Sequence, residues 1–126
     1  MENMPKILLV NDEVDINLTV GRVLRDRGFE VDSYEDPLVA LKHFKPKLYD
    51  LVIIDHKMPQ MDGLTFYRKI RVLDNTVKMC FLTAAEITEE AQEGIASLLP
   101  NYHVIRIPID NAELLQRIDE ILTNQG

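Results

Sequence analysis

The chain has 126 residues, which fits one domain around one core, and its 46% hydrophobic and 28% charged residues are an ordinary globular mix. A net charge of −7 argues against direct nucleic-acid binding through a basic face. The opening MENMPKILLV is too short an apolar run for a signal peptide, no run approaches the ~20 residues of a bilayer span, and the lone Cys80 cannot form an internal disulfide, so the expected location is the cytoplasm, off the membrane.

Short aliphatic runs alternate with amphipathic segments along the chain. KILLV (6–10) reads as a first buried strand and ends in NDE (11–13). Ile16, Val20, Val23 and Leu24 then share one helical face, with Gly28 placed to close that helix. FEVDSY (29–34) alternates and reads as an edge strand. Asp36 before Pro37 is an N-cap followed by proline at the first helical position, with Leu38, Leu41 and Phe44 facing inward. LVIID (51–55) is a third strand, and Phe66, Ile70 and Leu73 mark the helix after it. VKMCFLT (77–83) is a fourth strand and makes Cys80 a core thiol. Thr88 caps a fourth helix carrying Ala91, Ile95, Leu98 and Leu99, which Pro100 stops. YHVIRI (102–107) is the fifth strand, and Leu114, Leu115, Ile118, Ile121 and Leu122 mark the last helix. Continuously apolar strands are covered on both faces, so the expectation is α/β: five βα units forming a parallel sheet between layers of helix.

Ligands in such sheets bind at the carboxyl ends of the strands, near the reversal of strand order. Those ends gather Asn11, Asp12 and Glu13 from the first strand, Asp55 from the third, Thr83 and Ala84 from the fourth, and Ile107 and Pro108 from the fifth. A carboxylate at the end of a buried strand is costly unless compensated. Two neighbouring carboxylates repel, which raises a pKa or recruits a cation, and oxygen-only ligation suits Mg²⁺. The plainer reading of Asp55, a cap for the following loop, weakens once NDE and LTA stand at the matching ends.

Over essentially its whole length the sequence resembles the receiver domain of two-component response regulators. ILLVNDEVDI resembles the first strand of that family. LVIIDHKMPQMDGL resembles its most specific segment, the phosphoacceptor strand and following loop. FLTA resembles the hydroxyl-bearing fourth strand, and IPID the lysine–proline turn that closes the site. The resemblance implies a flavodoxin-like fold with strand order 2-1-3-4-5 flanked by five helices. It implies that Asp55 accepts a phosphoryl group from a phosphohistidine donor, a sensor histidine kinase or phosphotransfer protein, or from a small phosphodonor. Direct Mg²⁺ ligands would be Asp12, Asp55 and the backbone carbonyl of Lys57, with Asn11 contributing through a water at most. Thr83 would give its hydroxyl, and Ala84 its backbone N–H, to the phosphoryl oxygens, and the Ile107–Pro108 bond would be cis. Such a protein takes part in its own phosphoryl transfer and hydrolysis and is not a conventional enzyme. No effector segment follows residue 126 in this sequence, so 1–126 is expected to be a single receiver domain without an output domain, signalling through contacts with a downstream effector protein, unless the sequence is a piece of a longer chain.

Three residues depart from the family pattern. Asn11 replaces the first acid of the usual pair, Ile107 stands in the lysine position, and Val104 stands in the switch-aromatic position, leaving Tyr102 on the same strand face as the nearest ring. Arg106 points away from the face of residue 107 in a strand and is no easy substitute. Asn11 and Ile107 offset one another: losing an acid and an ammonium together leaves the local charge unchanged and avoids extra carboxylate repulsion. Losing one preorganised donor slows chemistry by ~10²–10³-fold. Phosphorylation is therefore expected to be slow, to need a partner, or to draw on Lys57 as a substitute cation, although a solvated lysine is the plainer reading of that residue. A phosphorylation-independent pseudo-receiver binding module is the alternative reading. A different α/β protein, such as a small Mg²⁺ phosphatase or a flavin-binding domain, is the third. His43, His56 and His103 have no metal-ligand spacing and read as surface or packing residues. Glu86, Glu89, Glu90 and Glu93 crowd a helix start, which is favourable in itself and leaves an acidic docking face as the alternative.

Overall fold

The computed structural model describes residues 4–83, 89–98 and 103–123. Within them strands and helices alternate: β1 (Lys6–Val10), α1 (Val14–Arg27), β2 (Glu30–Tyr34), α2 (Pro37–His43), β3 (Leu51–Ile54), α3 (Gly63–Leu73), β4 (Lys78–Thr83), α4 (Glu89–Ala96), β5 (Val104–Arg106) and α5 (Asn111–Thr123). The strands pair in parallel in the order β2-β1-β3-β4-β5, as the family resemblance implies.

The alternation of side chains along each strand divides the core in two. Ile7 and Leu9 of β1, Leu51 and Ile53 of β3, Cys80 and Leu82 of β4, and Ile105 of β5 pack with Val20 and Leu24 of α1 and Leu114, Ile118 and Ile121 of α5. Leu8, Val10, Val52, Ile54, Met79 and Phe81 face the other way, onto Ala40, Phe66, Tyr67, Ile70 and Ile95 of α2, α3 and α4. Burial pushes the Cys80 thiol up to about 12, as expected of a core thiol.

Local signals set the helix ends. Gly28 closes α1 in the left-handed region (φ 112°), returning its N–H to Arg25 and Leu24 carbonyls. The Asp36 carboxylate accepts from the Leu38 N–H ahead of Pro37, and Asp62 caps α3 through the Thr65 N–H. Leu38 does not face inward as its spacing suggested; it is 52% exposed, and Leu73 and Leu98, which mark the apolar pattern of their helices, are also exposed. The seam of the seven-residue α2 runs through Pro37, Ala40 and Phe44, about a third of a turn from Leu38. Leu73 is the last residue of α3, and α4 ends at Ala96 before Leu98. Thr88, Leu99 and Pro100 lie outside the described residues, as does the side chain of Ala91.

Candidate functional site

The carboxyl ends of the central strands meet around Asp55. That residue directly follows β3, and its backbone N–H donates to the Val10 carbonyl at 2.9 Å, which ties it to the end of β1. The Asp55 side chain is only 8% exposed and lies within hydrogen-bonding reach of the Asp12 carboxyl. Burial raises the Asp55 pKa to about 7; the Asp12 hydrogen bond and the negative charges of Asp12 and Glu13 push it the same way, against the Lys57 backbone N–H. The structure thus brings together the two carboxylates singled out from the sequence.

Thr83 ends β4 beside them in the strand order. It is 1% exposed, and its Oγ1 is buried without a hydrogen-bond partner among the described residues. A hydroxyl in that condition is ready for an acceptor. The backbone of Thr83 joins the turn after β5, its carbonyl accepting from the Ile107 N–H at 3.0 Å. The loop after Asp55 folds back under it: the Gly63 N–H donates to the His56 carbonyl at 2.9 Å. A Cβ at Gly63 would stand 2.5 Å from the Asp55 carbonyl and 2.9 Å from the Phe81 ring, so this close approach requires glycine. Ala84 lies outside the described residues.

The β1–α1 connection is pinned at several points. The Asn11 N–H donates to the Tyr34 carbonyl at 3.1 Å, and Asn11 Oδ1 accepts from the Glu13 N–H at 2.9 Å. Asn17 Nδ2 donates to the Asn11 carbonyl at 2.8 Å and to the Tyr34 carbonyl at 3.2 Å. Asn17, which adjoins the candidate site, carries no signal singled out from the sequence. A polar residue directly after Ile16, among the inward-facing positions of an amphipathic helix, was the available signal.

The three departures take definite places. Ile107 is half-buried and packs into the α1–α5 side of the core, lining a cavity of about 270 Å³ with Ile16, Val20, Val23 and Leu114. The Ile107–Pro108 bond is cis. Val104 faces the opposite core cluster, and Arg106 is exposed near Asp110, Glu113 and Arg117, away from the face of Ile107. Tyr102 lies outside the described residues. The Lys57 side chain is exposed, so the structure does not bring its ammonium into the buried part of the site. His43 is exposed and stacks on Tyr34, His56 is half-buried, and His103 is buried with its pKa lowered, mainly by burial. Among the described residues no cluster of three or more His, Cys, Asp or Glu is placed to hold a metal.

A parallel sheet in the order 2-1-3-4-5 with helices on both faces is the fold of CheY-like receiver domains. Residues 7–119 match the family model of the response regulator receiver domain, and the chain belongs to that family, whose members serve two-component signalling. It is 31% identical over 122 residues to the transcriptional regulatory protein PrrA of Mycobacterium leprae, covering 97% of this chain and 52% of PrrA. It is 30% identical over 120 residues to the chemotaxis protein CheY of Treponema pallidum, covering 93% of this chain and 82% of that one. The chain thus spans about half the length of the transcriptional regulators it matches. Among solved structures, the non-phosphorylated HemR receiver domain of Leptospira biflexa shares the fold at a TM-score of 0.84 and 24% identity, covering 97% of each chain. The BeF3-activated DrrB receiver domain does so at 0.81 and 21%, covering 97% of this chain and all of that one (100%). No helix among the described residues is long and apolar enough to cross a membrane.

Proposed function

We propose that the domain accepts a phosphoryl group on Asp55 and passes the signal to a separate protein. The observation that carries this reading is the buried Asp55 carboxyl, near enough to Asp12 for the two to act on each other, at the same sheet edge as the Thr83 hydroxyl, which has no hydrogen-bond partner among the described residues. The donor set of two carboxylates and a nearby backbone carbonyl fits Mg²⁺, with Asp12, Asp55 and the Lys57 carbonyl as its holders. When bound, Mg²⁺ neutralises phosphoryl oxygens and relieves the repulsion between the two carboxylates.

An Asp55 oxygen attacks phosphorus in line with the leaving group. The P–N bond of a phosphohistidine donor breaks, its electron pair returns to the ring nitrogen, and the new P–O bond leaves an acyl phosphate on Asp55. The Thr83 Oγ1–H donates to a phosphoryl oxygen, and the Ala84 N–H assists. Hydrolysis reverses the modification, so the protein acts on its own side chain rather than turning over a free substrate. The donor is a sensor histidine kinase, a phosphotransfer protein or a small phosphodonor, the receiver of the signal is an effector protein, and the setting is the cytoplasm.

One observation favours a second reading. Ile107 points its aliphatic side chain into the α1–α5 core instead of offering a cation to Asp55. A phosphorylation-independent binding module would tolerate that arrangement. Amide chemical shifts measured with Mg²⁺ and beryllofluoride, a phosphoryl mimic, separate the two. Phosphoacceptor function predicts shifts at Asp55 and Thr83 that Asp55→Asn abolishes. An unresponsive site in the wild-type protein supports the binding module.

A further inference from the structure

Asp12 is the residue of the candidate cation site with the least obvious support. It sits in the short connection between β1 and α1, half-buried, while Asp55 is anchored by a strand end. Its neighbours are held unusually well. On one side, the Asn11 N–H is fixed by the Tyr34 carbonyl and the Asn11 carbonyl by Asn17 Nδ2. On the other, the Glu13 N–H is fixed by Asn11 Oδ1. Both peptide units flanking Asp12 are therefore pinned by two carboxamides.

Asn17 is the member that joins the parts. It is 5% exposed, lies on α1, and reaches across to the ends of both β1 and β2 through one Nδ2 group, at 2.8 and 3.2 Å. The two carbonyls fix the orientation of its amide, because turning it over would set Oδ1 against two oxygens. In that orientation Asn17 Oδ1 is buried without a partner among the described residues. A buried acceptor left bare is unfavourable for folding, so stability alone does not account for an asparagine here. Its two bonds act on the backbone that carries Asp12.

We infer that Asn17 is a positioning residue of the cation site, holding the Asn11–Glu13 turn so that the Asp12 carboxylate faces Asp55. Asn11 belongs to the same device through Oδ1, which holds the Glu13 N–H. This rests on the reading of Asp12 and Asp55 as the Mg²⁺ site. A support of this kind typically changes metal affinity by ~10–100-fold when removed.

The test is a double-mutant cycle on Mg²⁺ affinity with the intact chain, comparing wild type, Asn17→Ala, Asp12→Ala and the double variant. Amide hydrogen exchange at Glu13 and Asn11 in the metal-free proteins gives a second readout. The expected result is an affinity loss of ~10-fold or more for Asn17→Ala in the wild-type background, little further loss in the Asp12→Ala background, and faster exchange at Glu13. Equal losses in both backgrounds, or an unchanged affinity for Asn17→Ala, overturn the inference while leaving the cation site standing. If the wild-type protein binds no Mg²⁺, the cation site itself falls and the inference with it. Asn17→Ser serves as the variant if Asn17→Ala fails to fold, and the same outcomes decide.

Discussion

Burial raises the Asp55 carboxyl to about 7, and the hydrogen bond and charge of Asp12 add to the effect. The sign for stability follows from linkage. Between the ordinary carboxylate value near ~4 and about 7, the folded metal-free protein holds a proton at Asp55 that the unfolded chain has released. The contribution of Asp55 is fully present below ~4 and is lost as pH rises to about 7. Asp55→Asn removes the ionisation, so it should stabilise the metal-free protein by about 1–2 kcal/mol at pH ~8, a figure reduced from about 1.4 kcal/mol per pKa unit because water reaches the site. The gain should fade toward pH ~4. Urea denaturation in a chelator across this range checks it, and a gain that does not vary with pH contradicts it.

Ile107 carries a second prediction at the same scale. Its side chain is half-buried against Ile16, Val20 and Leu114, so an aliphatic group there strengthens the α1–α5 packing. Ile107→Lys should lower stability by about 1 kcal/mol, the value of one or two buried methylenes. It should also accelerate phosphorylation by a small phosphodonor, by up to ~10²-fold if the new ammonium reaches the phosphoryl oxygens. Denaturation and single-turnover kinetics on one preparation separate the effects. An unchanged rate with reduced stability would show that the missing lysine does not limit this site.

At the scale of elements, the end opposite the site is organised by Asp74. This buried carboxylate follows α3 and accepts from the Lys47 N–H (2.8 Å), the Thr76 N–H (3.0 Å) and the Thr76 hydroxyl (2.8 Å). Lys47 itself is held at φ 66°, in the left-handed region. Burial pushes the Asp74 carboxyl up, but these donors outweigh it and hold it below the ordinary range. Its contribution is present above the ordinary carboxylate value and is lost as pH falls through the depressed one. Asp74→Ala should destabilise the fold by about 2–3 kcal/mol at neutral pH, because it leaves several donors without their charged acceptor. Equilibrium denaturation measures this; a loss near zero means that water or a shifted loop satisfies those donors. Phosphorylation of the variant at Asp55 should be intact below its unfolding temperature.

The elements also show what was legible beforehand. Continuous apolar runs located the buried strands, and Gly28, Asp36 and Pro37 marked helix ends through local chemistry that tertiary contacts do not override. Leu38 was misplaced for a different reason. Periodicity gives the direction of an apolar stripe but not how far along a short helix the neighbouring sheet extends. The meeting of Asp12, Asp55 and Thr83 at one edge was legible because the parallel sheet itself gathers strand ends. Asn17 was not, since its role lies in two carbonyls distant in the chain from each other. The direction of Ile107 was equally hidden: a residue type does not say which side of a turn its side chain takes.

For the whole molecule, the two core clusters cover both faces of the sheet, and the candidate site lies at its carboxyl edge. The net charge of −7 gives the domain an acidic balance overall. The central claim is that this edge still accepts a phosphoryl group although the lysine position holds Ile107. The most direct measurement is intact mass after prolonged incubation with acetyl phosphate and Mg²⁺, on the wild type and on Asp55→Asn side by side. The account predicts the mass gain of a single phosphoryl group on the wild type, lost on acid- or base-catalysed acyl-phosphate hydrolysis and absent from Asp55→Asn. A gain that survives Asp55→Asn, or a wild-type protein that is never modified by this donor or by a phosphorylated histidine kinase, would contradict it.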